Sequence, residues 1–163
     1  MKKALGLSTI CISAVLSVSA ALAQAIPSGC FVREYSRAHM AQQPRQVTDL
    51  VALWIAPGGA AFAILARMAN QGHARNSGLA GLGMREEGFC PTARRCVVYC
   101  DGGGFDITRV ASDSITISTR HLRVTGGESC SGSARVSNLA EVSGQPTLYR
   151  LDRRPNAVCG ALQ

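Results

Sequence analysis

The chain has 163 residues, of which 47% are hydrophobic and 17% are charged. This length suits one domain, and the hydrophobic content is sufficient for a packed core, which excludes a wholly disordered chain. The net charge of +7 comes from 17 basic and 10 acidic residues, and the basic residues are too scattered for a nucleic-acid-binding tail.

Residues 1–23 have the pattern of a secretory signal peptide. Lys2 and Lys3 give the segment a positive start, an apolar stretch follows, and small residues occupy its last and third-last positions, as signal peptidase requires. We expect cleavage after Ala23, so that residues 24–163 form a single mature domain in the periplasm or outside the cell. We expect no membrane span in the chain after this cleavage.

Arginine supplies all the formal positive charge of the mature domain, because Lys2 and Lys3 are the only lysines. The domain has 15 arginines, 10 acidic residues and a net charge of +5. This usage either reflects nucleotide composition alone or provides a surface for carboxylates and phosphates, which the guanidinium group binds in a two-point fashion. The scattered arginines and the export signal both argue against nucleic acid as a partner.

A short helix is the first element that the mature sequence predicts. Residues 24–30 form a polar lead, after which Ser36 is a suitable N-cap and Pro44 a stop, so we expect a helix over residues 36–43. Residues 47–55 then predict the first strand, because apolar and β-branched residues recur there between turn signals.

An apolar run over residues 50–69 is as long as a membrane-spanning helix. The Pro-Gly-Gly turn at residues 57–59 and Arg67 argue against a span, because a break facing lipid would leave backbone groups unsatisfied. We interpret the run as two buried elements joined by a turn. The second, over residues 60–68, is compatible with a helix, but we prefer a strand because a helix there would have no polar face.

Strand and turn signals alternate along the rest of the chain. We predict strands over residues 78–84, 95–100, 105–110, 114–119 and 147–151. We predict loops over residues 70–77, 86–94 and 128–145, and a glycine-rich hairpin turn over residues 101–104. The apolar alternation continues at Leu122 and Val124 but changes phase at Arg120 and His121, which indicates a bulge or a tight bend.

Seven or eight short strands separated by turns predict an all-β domain that is mainly antiparallel. Either a sandwich or a small barrel accommodates them, and a meander is the simplest topology because successive antiparallel strands need only hairpins. The single predicted helix is short and N-terminal, which excludes helical bundles and doubly wound α/β folds.

The cysteines predict a disulfide framework. Removal of Cys11 with the signal peptide leaves six cysteines, an even number that is typical of disulfide-bonded exported domains. Cys96 and Cys100 lie four residues apart in a predicted strand, roughly 13 Å, whereas a disulfide needs Cα atoms within about 7 Å. A turn over residues 91–94 lets Cys90 reach Cys96. We therefore predict the pairs Cys30–Cys159, Cys90–Cys96 and Cys100–Cys130.

Zinc binding is the competing interpretation of Cys90, Cys96, Cys100 and Cys130. Their spacings do not form a Cys-x-x-Cys knuckle, and strand residues at i and i+4 diverge from a single metal ion. The same missing motif argues against a redox-active dithiol. We prefer disulfides to both alternatives.

The most distinctive local segment runs from Asp101 to Asp106 and contains three consecutive glycines. A calcium loop is one interpretation, but the tandem glycine-rich calcium repeat needs different spacing and several copies. A phosphate-binding glycine loop would have to open a helix, whereas residues 105–108 have a strand pattern. We therefore interpret the segment as a tight hairpin.

The remaining titratable residues give no catalytic pattern. His39, His73 and His121 lie in a predicted helix, a loop and a strand bend, and no two have the spacing of metal ligands. Glu86 and Glu87 are adjacent in a predicted loop and should point apart as a solvated turn. A Gly-x-Ser-x-Gly elbow is missing from the sequence. The sequence thus predicts no catalytic, cofactor-binding or metal-binding residues and no cofactor.

The combination of export, disulfides and variable polar loops predicts a non-enzymatic binding or inhibitor module in the cell envelope. Its partner would be an unknown envelope protein or an anionic ligand. The alternative is a small-ligand carrier, if the strands close around a cavity, and an enzyme is the third possibility. A hollow apolar interior would favour the carrier, whereas a filled interior with arginine-bearing loops would favour the binding module.

Overall fold

The computed structural model describes residues 26–127 and 135–162. The strands in this part of the chain are β1 Gly29–Glu34, β2 Thr48–Ile55, β3 Ala61–Met68, β4 Gly83–Phe89, β5 Arg95–Val98, β6 Gly103–Val110, β7 Ser114–Gly126, β8 Arg135–Asn138 and β9 Thr147–Arg154. The helices are α1 Arg37–Gln42 and α2 Gly72–Asn76, followed at the C-terminus by a 3₁₀ segment, Asn156–Leu162.

The strands form an antiparallel barrel. Strands β1 to β7 pair in sequence order as a meander, β7 then pairs with β9, and β9 pairs with β1, so that eight strands close on themselves. Strand β8 lies outside this closed set and pairs with the second half of β7. The predicted all-β, mainly antiparallel fold is confirmed, and the barrel is the alternative that the chain adopts.

Strands β2 and β3 show that the long apolar run is a hairpin. They pair in register from Thr48 opposite Met68 to Ile55 opposite Phe62, and the turn between them is tied by a hydrogen bond from the Ala56 amide to the Ala61 carbonyl. The predicted strand over residues 60–68 is therefore confirmed. Within the described residues, no helix is long and apolar enough to cross a membrane.

Large apolar side chains fill the interior of the barrel. Alternate residues of each strand point inward, as the two-residue period of a strand requires, and these inward residues are almost completely buried. The largest of them belong to one hydrophobic cluster that includes Phe31, Leu53, Phe105, Ile117 and Tyr149. The barrel is thus held together by a packed core.

A second, smaller apolar cluster lies on the outer face of β1, β2 and β3. Ala52 and Ala63 pack there against Cys30 and Cys159, with Trp54 partly buried beside them. The Cys30–Cys159 disulfide holds the C-terminal 3₁₀ segment against these strands. The disulfide therefore joins the first described strand to the C-terminal segment on the outside of the barrel.

Two of the three predicted disulfides are confirmed, namely Cys30–Cys159 and Cys90–Cys96. Cys96 lies in β5, as expected, and its bond to Cys90 closes the loop between β4 and β5. Cys100 is also disulfide-bonded. Cys130, the partner that we predict for it, lies outside the described residues, so this pairing stays a prediction.

The predicted bulge in β7 is confirmed. Arg120 and His121 are both exposed, whereas buried and less buried residues alternate on either side of them. The pairing between β6 and β7 shifts register at the same place. The Thr119 hydroxyl donates to the Gly104 carbonyl at 2.7 Å, which satisfies a backbone group inside this irregularity. Strand β7 therefore bends without losing its inward apolar face.

The segment around β4 is where the sequence prediction was wrong. We expected a strand over residues 78–84 and a loop over residues 86–94, whereas the strand is Gly83–Phe89. Its inward residues are Met84, Glu86 and Gly88, only one of which is a large apolar side chain. The hydrophobic alternation that reveals other strands is consequently missing from this one.

Three other elements are absent from the prediction. Strand β1 begins at the end of the expected polar lead, α2 lies in the expected loop over residues 70–77, and β8 lies in the expected loop over residues 128–145. Helix α2 has five residues and β8 has four, too few to show a periodic pattern. The described chain thus has two short helices instead of one, and its last strand, β9, extends to Arg154.

Candidate functional site

One end of the barrel carries most of the loops with titratable side chains. Helix α1 connects β1 to β2, α2 connects β3 to β4, and a loop over residues 139–146 connects β8 to β9. The α1 and α2 connections lie at the same end because the strands they join are antiparallel. The loop over residues 139–146 lies beside them, since the Ala140 carbonyl contacts His73 and Glu141 lines a pocket with His39. We call this the helical end. The Gln71 side-chain amide donates to the carbonyls of Met40 and Gln43, at 3.2 and 2.6 Å, and so ties α2 to α1.

Helix α1 holds His39 at the rim of the barrel. The Ser36 hydroxyl accepts a hydrogen bond from the His39 amide at 3.2 Å, which is the predicted N-cap. The His39 ring stacks on Tyr35 with ring centroids 4.8 Å apart. Its Nε2 lies 2.9 Å from Oε1 of Gln46, a buried residue whose amide nitrogen donates to the Thr48 carbonyl. Gln46 therefore accepts from His39, which places a proton on His39 Nε2.

A pocket of about 420 Å³ opens beside His39. We call it the cationic pocket. Arg33 and Arg150 line it, and both contact Asp152, at 3.2 and 3.6 Å. Arg45 also lines it and makes no ion pair within 4 Å to any described residue. The charged and aromatic residues that line this pocket are Arg33, Tyr35, His39, Arg45, Glu141 and Arg150.

Glu141 is the one carboxylate in the lining of the cationic pocket. Burial raises its pKa above the usual value for glutamate, while the positive charges of Arg45, His39 and His73 act in the opposite direction. The same burial effect raises the pKa of Tyr35 to about 12. Tyr35 is therefore a neutral hydrogen-bonding group at neutral pH, and the charge balance of the pocket depends on Glu141 and its cationic neighbours.

A second pocket, of about 600 Å³, adjoins the first and shares Glu141 and Val142 with it. We call it the histidine pocket, because His73 and His121 line it together with Arg123. Its other polar residues are Ser77, Ser137, Asn138 and Ser143. With His39 in the cationic pocket, the barrel places all three histidines of the chain at the helical end.

Hydrogen bonds fix the orientation of both imidazoles in the histidine pocket. Asn138 Oδ1 accepts from the backbone amides of Leu122 and Ala140, each at 3.0 Å, so its Nδ2 faces His121. Nδ2 then donates to His121 Nδ1 at 3.3 Å, which leaves the proton of neutral His121 on Nε2. His73 Nε2 donates to the Ala140 carbonyl at 3.2 Å, so its Nδ1 is an acceptor when the ring is neutral.

The glycine-rich segment packs against His121 through Gly103. It forms the predicted hairpin between β5 and β6, in which Cys100 and Asp101 have φ of 57° and 56° and the Gly102 amide donates to the Tyr99 carbonyl. Positive φ at both central residues is the geometry of a tight two-residue hairpin. Gly103, with φ of 75°, lies against His121, and a Cβ atom there would come within 2.5 Å of His121 Cδ2.

Glu86 is buried, which corrects the expected solvated turn. It faces inward in β4 with 2% exposure, whereas Glu87 is exposed and pairs with Arg85 at 2.6 Å. Arg123 Nε lies 3.8 Å from Glu86 Oε1, so the guanidinium that lines the histidine pocket also faces this carboxylate. Burial raises the pKa of Glu86, while a hydrogen bond from Thr125 and the charge of Arg123 act against the increase.

The sequence did not reveal this site because its residues are distant in the chain. His39, His73 and Glu141 come from three separate connections and His121 from strand β7, and none has a local spacing that indicates a shared role. The described residues contain no group of three or more side chains that could hold a metal ion. Comparisons with protein-family models, with curated proteins and with solved structures find no match to this chain.

Proposed function

We propose that the chain is an exported, non-enzymatic binding module that captures an anionic group in the cationic pocket. The observation that carries this proposal is the arrangement of Arg33, Arg45 and Arg150 around one recess, with Glu141 as the only carboxylate in the lining. Guanidinium groups bind carboxylates and phosphates through two parallel hydrogen bonds. Arg45 is available for such a bond, because it makes no ion pair within 4 Å to any described residue.

The packed interior favours a binding module over a ligand carrier. A carrier of the barrel type keeps its ligand among the inward side chains, and here those positions are occupied by residues such as Phe31 and Tyr149. The two pockets instead lie at the helical end, where loops and short helices supply their walls. Binding through loops on a rigid barrel is a common arrangement for recognition.

Export is part of the proposal. The disulfides Cys30–Cys159 and Cys90–Cys96 are compatible with an oxidising location, which is where such bonds persist. The signal-peptide pattern of residues 1–23 adds the expectation that the mature protein begins at Gln24. The intact mass of protein isolated from its native host measures this directly, and a mass that includes residues 1–23 would refute export by cleavage.

The binding proposal is tested with tricarballylate, a small tricarboxylate, in calorimetric titrations at low salt. Wild-type protein should bind it, and the double variant Arg45→Gln/Arg150→Gln should bind about tenfold or more weakly, because two charge-assisted contacts are lost. The matched control is Arg109→Gln, which removes one exposed arginine from β6, outside both pockets. Equal affinity of the double variant and the wild type would refute the proposal.

A further inference from the structure

The histidine pocket offers hydrogen-bond donors and acceptors side by side. His121 Nε2 carries a proton because Asn138 donates to Nδ1, and Arg123 adds a guanidinium to the same lining. Glu141 and neutral His73 Nδ1 are acceptors. A ligand that suits this lining must accept and donate at neighbouring positions, which a simple anion cannot do because it only accepts.

A buried hydroxyl in the same pocket indicates a missing partner. Ser137 lines the pocket with 5% exposure, and its Oγ has no hydrogen-bond partner among the described residues. A buried polar atom without a partner costs free energy, and a ligand hydroxyl that reached Ser137 Oγ would remove this cost. Hydroxyl groups can both donate and accept, as this pocket requires.

We infer that the ligand is an acidic saccharide that spans both pockets. Its carboxylate or phosphate group binds the arginines of the cationic pocket, and its hydroxyl-bearing ring binds His121, Arg123 and Glu141 in the histidine pocket. The shared wall of Glu141 and Val142 places the two parts of one ligand next to each other. The volume of the histidine pocket, about 600 Å³, is within the usual range for ligand sites. This inference rests on the proposed function and names the class of ligand.

The test compares acidic sugars with matched compounds that have only one of the two features. Trigalacturonate is compared with tricarballylate, which has carboxylates without a sugar, and with maltotriose, which is a neutral sugar. Glucose 6-phosphate is compared with inorganic phosphate. At least one acidic sugar should bind about tenfold or more tightly than both its sugar-free acid and maltotriose, because each pocket adds its own contacts.

The variant His121→Phe tests whether the sugar ring binds in the histidine pocket. This variant keeps a ring of similar shape against Gly103 but removes the Nε2 proton. The acidic sugar should then bind no more tightly than its sugar-free acid, whereas the affinity for tricarballylate should be unchanged. Chemical-shift mapping on the wild-type protein provides the same information without a substitution. The acidic sugar should shift the amide signals of residues 136–138 and His121, whereas tricarballylate should shift only those of the cationic pocket.

The outcomes separate the inference from the proposed function. If no acidic sugar exceeds its sugar-free acid, the saccharide inference is overturned while the anion-binding proposal stands. If maltotriose binds as tightly as trigalacturonate, recognition of the acid group is refuted, and the inference fails. If neither tricarballylate nor phosphate binds, the proposed function fails and the inference fails with it.

Discussion

Glu86 is a buried carboxylate whose ionisation opposes folding. Its pKa is raised in the folded chain, chiefly because burial disfavours the charged form, relative to a usual value of 4.5. A group of this kind stabilises the fold below its unfolded pKa, and that contribution is lost as the pH rises through the raised folded value. Stability therefore decreases, as far as this residue is concerned, from about pH 4.5 upward.

The variant Glu86→Gln removes this pH dependence. We expect the difference in unfolding free energy between variant and wild type to shift in favour of the variant as the pH rises above 4.5. Urea denaturation of both proteins from pH 4 to pH 8 measures it. The matched control is Glu87→Gln, since Glu87 is exposed on the same strand. A constant difference across this range would contradict the assigned ionisation of Glu86.

Glu141 should make anion binding depend on pH. As the pH rises through its raised pKa, its carboxylate gains a negative charge inside the cationic pocket and repels a bound anion. Arg45, His39 and His73 are the charges that act on Glu141 against the effect of its burial. Sulfate affinity should therefore fall as the pH increases.

The variant Glu141→Gln removes the carboxylate from the pocket and so isolates its contribution to sulfate binding. Sulfate keeps its charge over this range, so titrations from pH 4.5 to pH 8 report on the protein alone. The variant should bind sulfate more tightly than wild type at pH 8, and the two affinities should converge as the pH falls. Parallel pH profiles for both proteins would show that Glu141 does not control the charge of the pocket.

Gly103, the first residue of β6, packs against His121 of the histidine pocket. Its positive φ is unfavourable for other residues, and a Cβ atom would also collide with the backbone and ring of His121. We expect Gly103→Ala to destabilise the protein by about 1–3 kcal/mol and to weaken binding in the histidine pocket. Gly78→Ala is the matched control, because Gly78 has φ of 68° with no atom within 4 Å of its Cβ position.

The two glycine variants separate strain from contact, and urea denaturation measures both. Gly78→Ala should lose only the cost of the left-handed conformation, roughly 1 kcal/mol. Gly103→Ala should lose more, since the collision with His121 is added. Equal losses in the two variants would mean that the His121 ring moves away freely, and the rigid support proposed for this imidazole would then be wrong.

The elements that the sequence predicted share a clear physical signal. Strands β2 and β3 are apolar and joined by a Pro-Gly-Gly turn, and β7 alternates strictly until its bulge. Strand β4 escaped prediction because Glu86 and Gly88 occupy inward positions. These residues satisfy tertiary requirements, since Gly88 lies where a Cβ would meet the Val97 carbonyl and the Phe62 ring. A local sequence pattern does not show such contacts, because they involve residues that are distant in the chain.

At the scale of the whole molecule, closure of the barrel depends on one long-range pairing. Strand β9 joins β1 over only three paired positions, from Cys30 opposite Arg154 to Val32 opposite Asp152. The sequence was compatible with either a sandwich or a barrel. The local pattern of a strand at the edge of a sheet is the same as that of a strand that pairs on both sides to close a barrel. The site could not be predicted for the same reason, since Arg33 and Arg150 become neighbours only through this closure.

The disulfides should differ in their contribution to stability according to the loops that they close. Cys30 and Cys159 are separated by 129 positions and Cys90 and Cys96 by 6. Loop-closure entropy then predicts a loss of about 5 kcal/mol for Cys30→Ala/Cys159→Ala and about 2 kcal/mol for Cys90→Ala/Cys96→Ala.

Urea denaturation of the oxidised variants measures both losses. Each double variant serves as the control for the other, because each removes both cysteines of one bond and leaves the other bond in place. The larger loss at Cys30–Cys159 should accompany exposure of the outer cluster around Trp54, since the 3₁₀ segment is then free to leave β1 to β3. Tryptophan fluorescence reports this local change before global unfolding. A larger loss of unfolding free energy for Cys90→Ala/Cys96→Ala than for Cys30→Ala/Cys159→Ala would contradict the prediction. The short disulfide would then stabilise the native β4–β5 connection itself, and restriction of the unfolded chain would not explain how these bonds stabilise the protein.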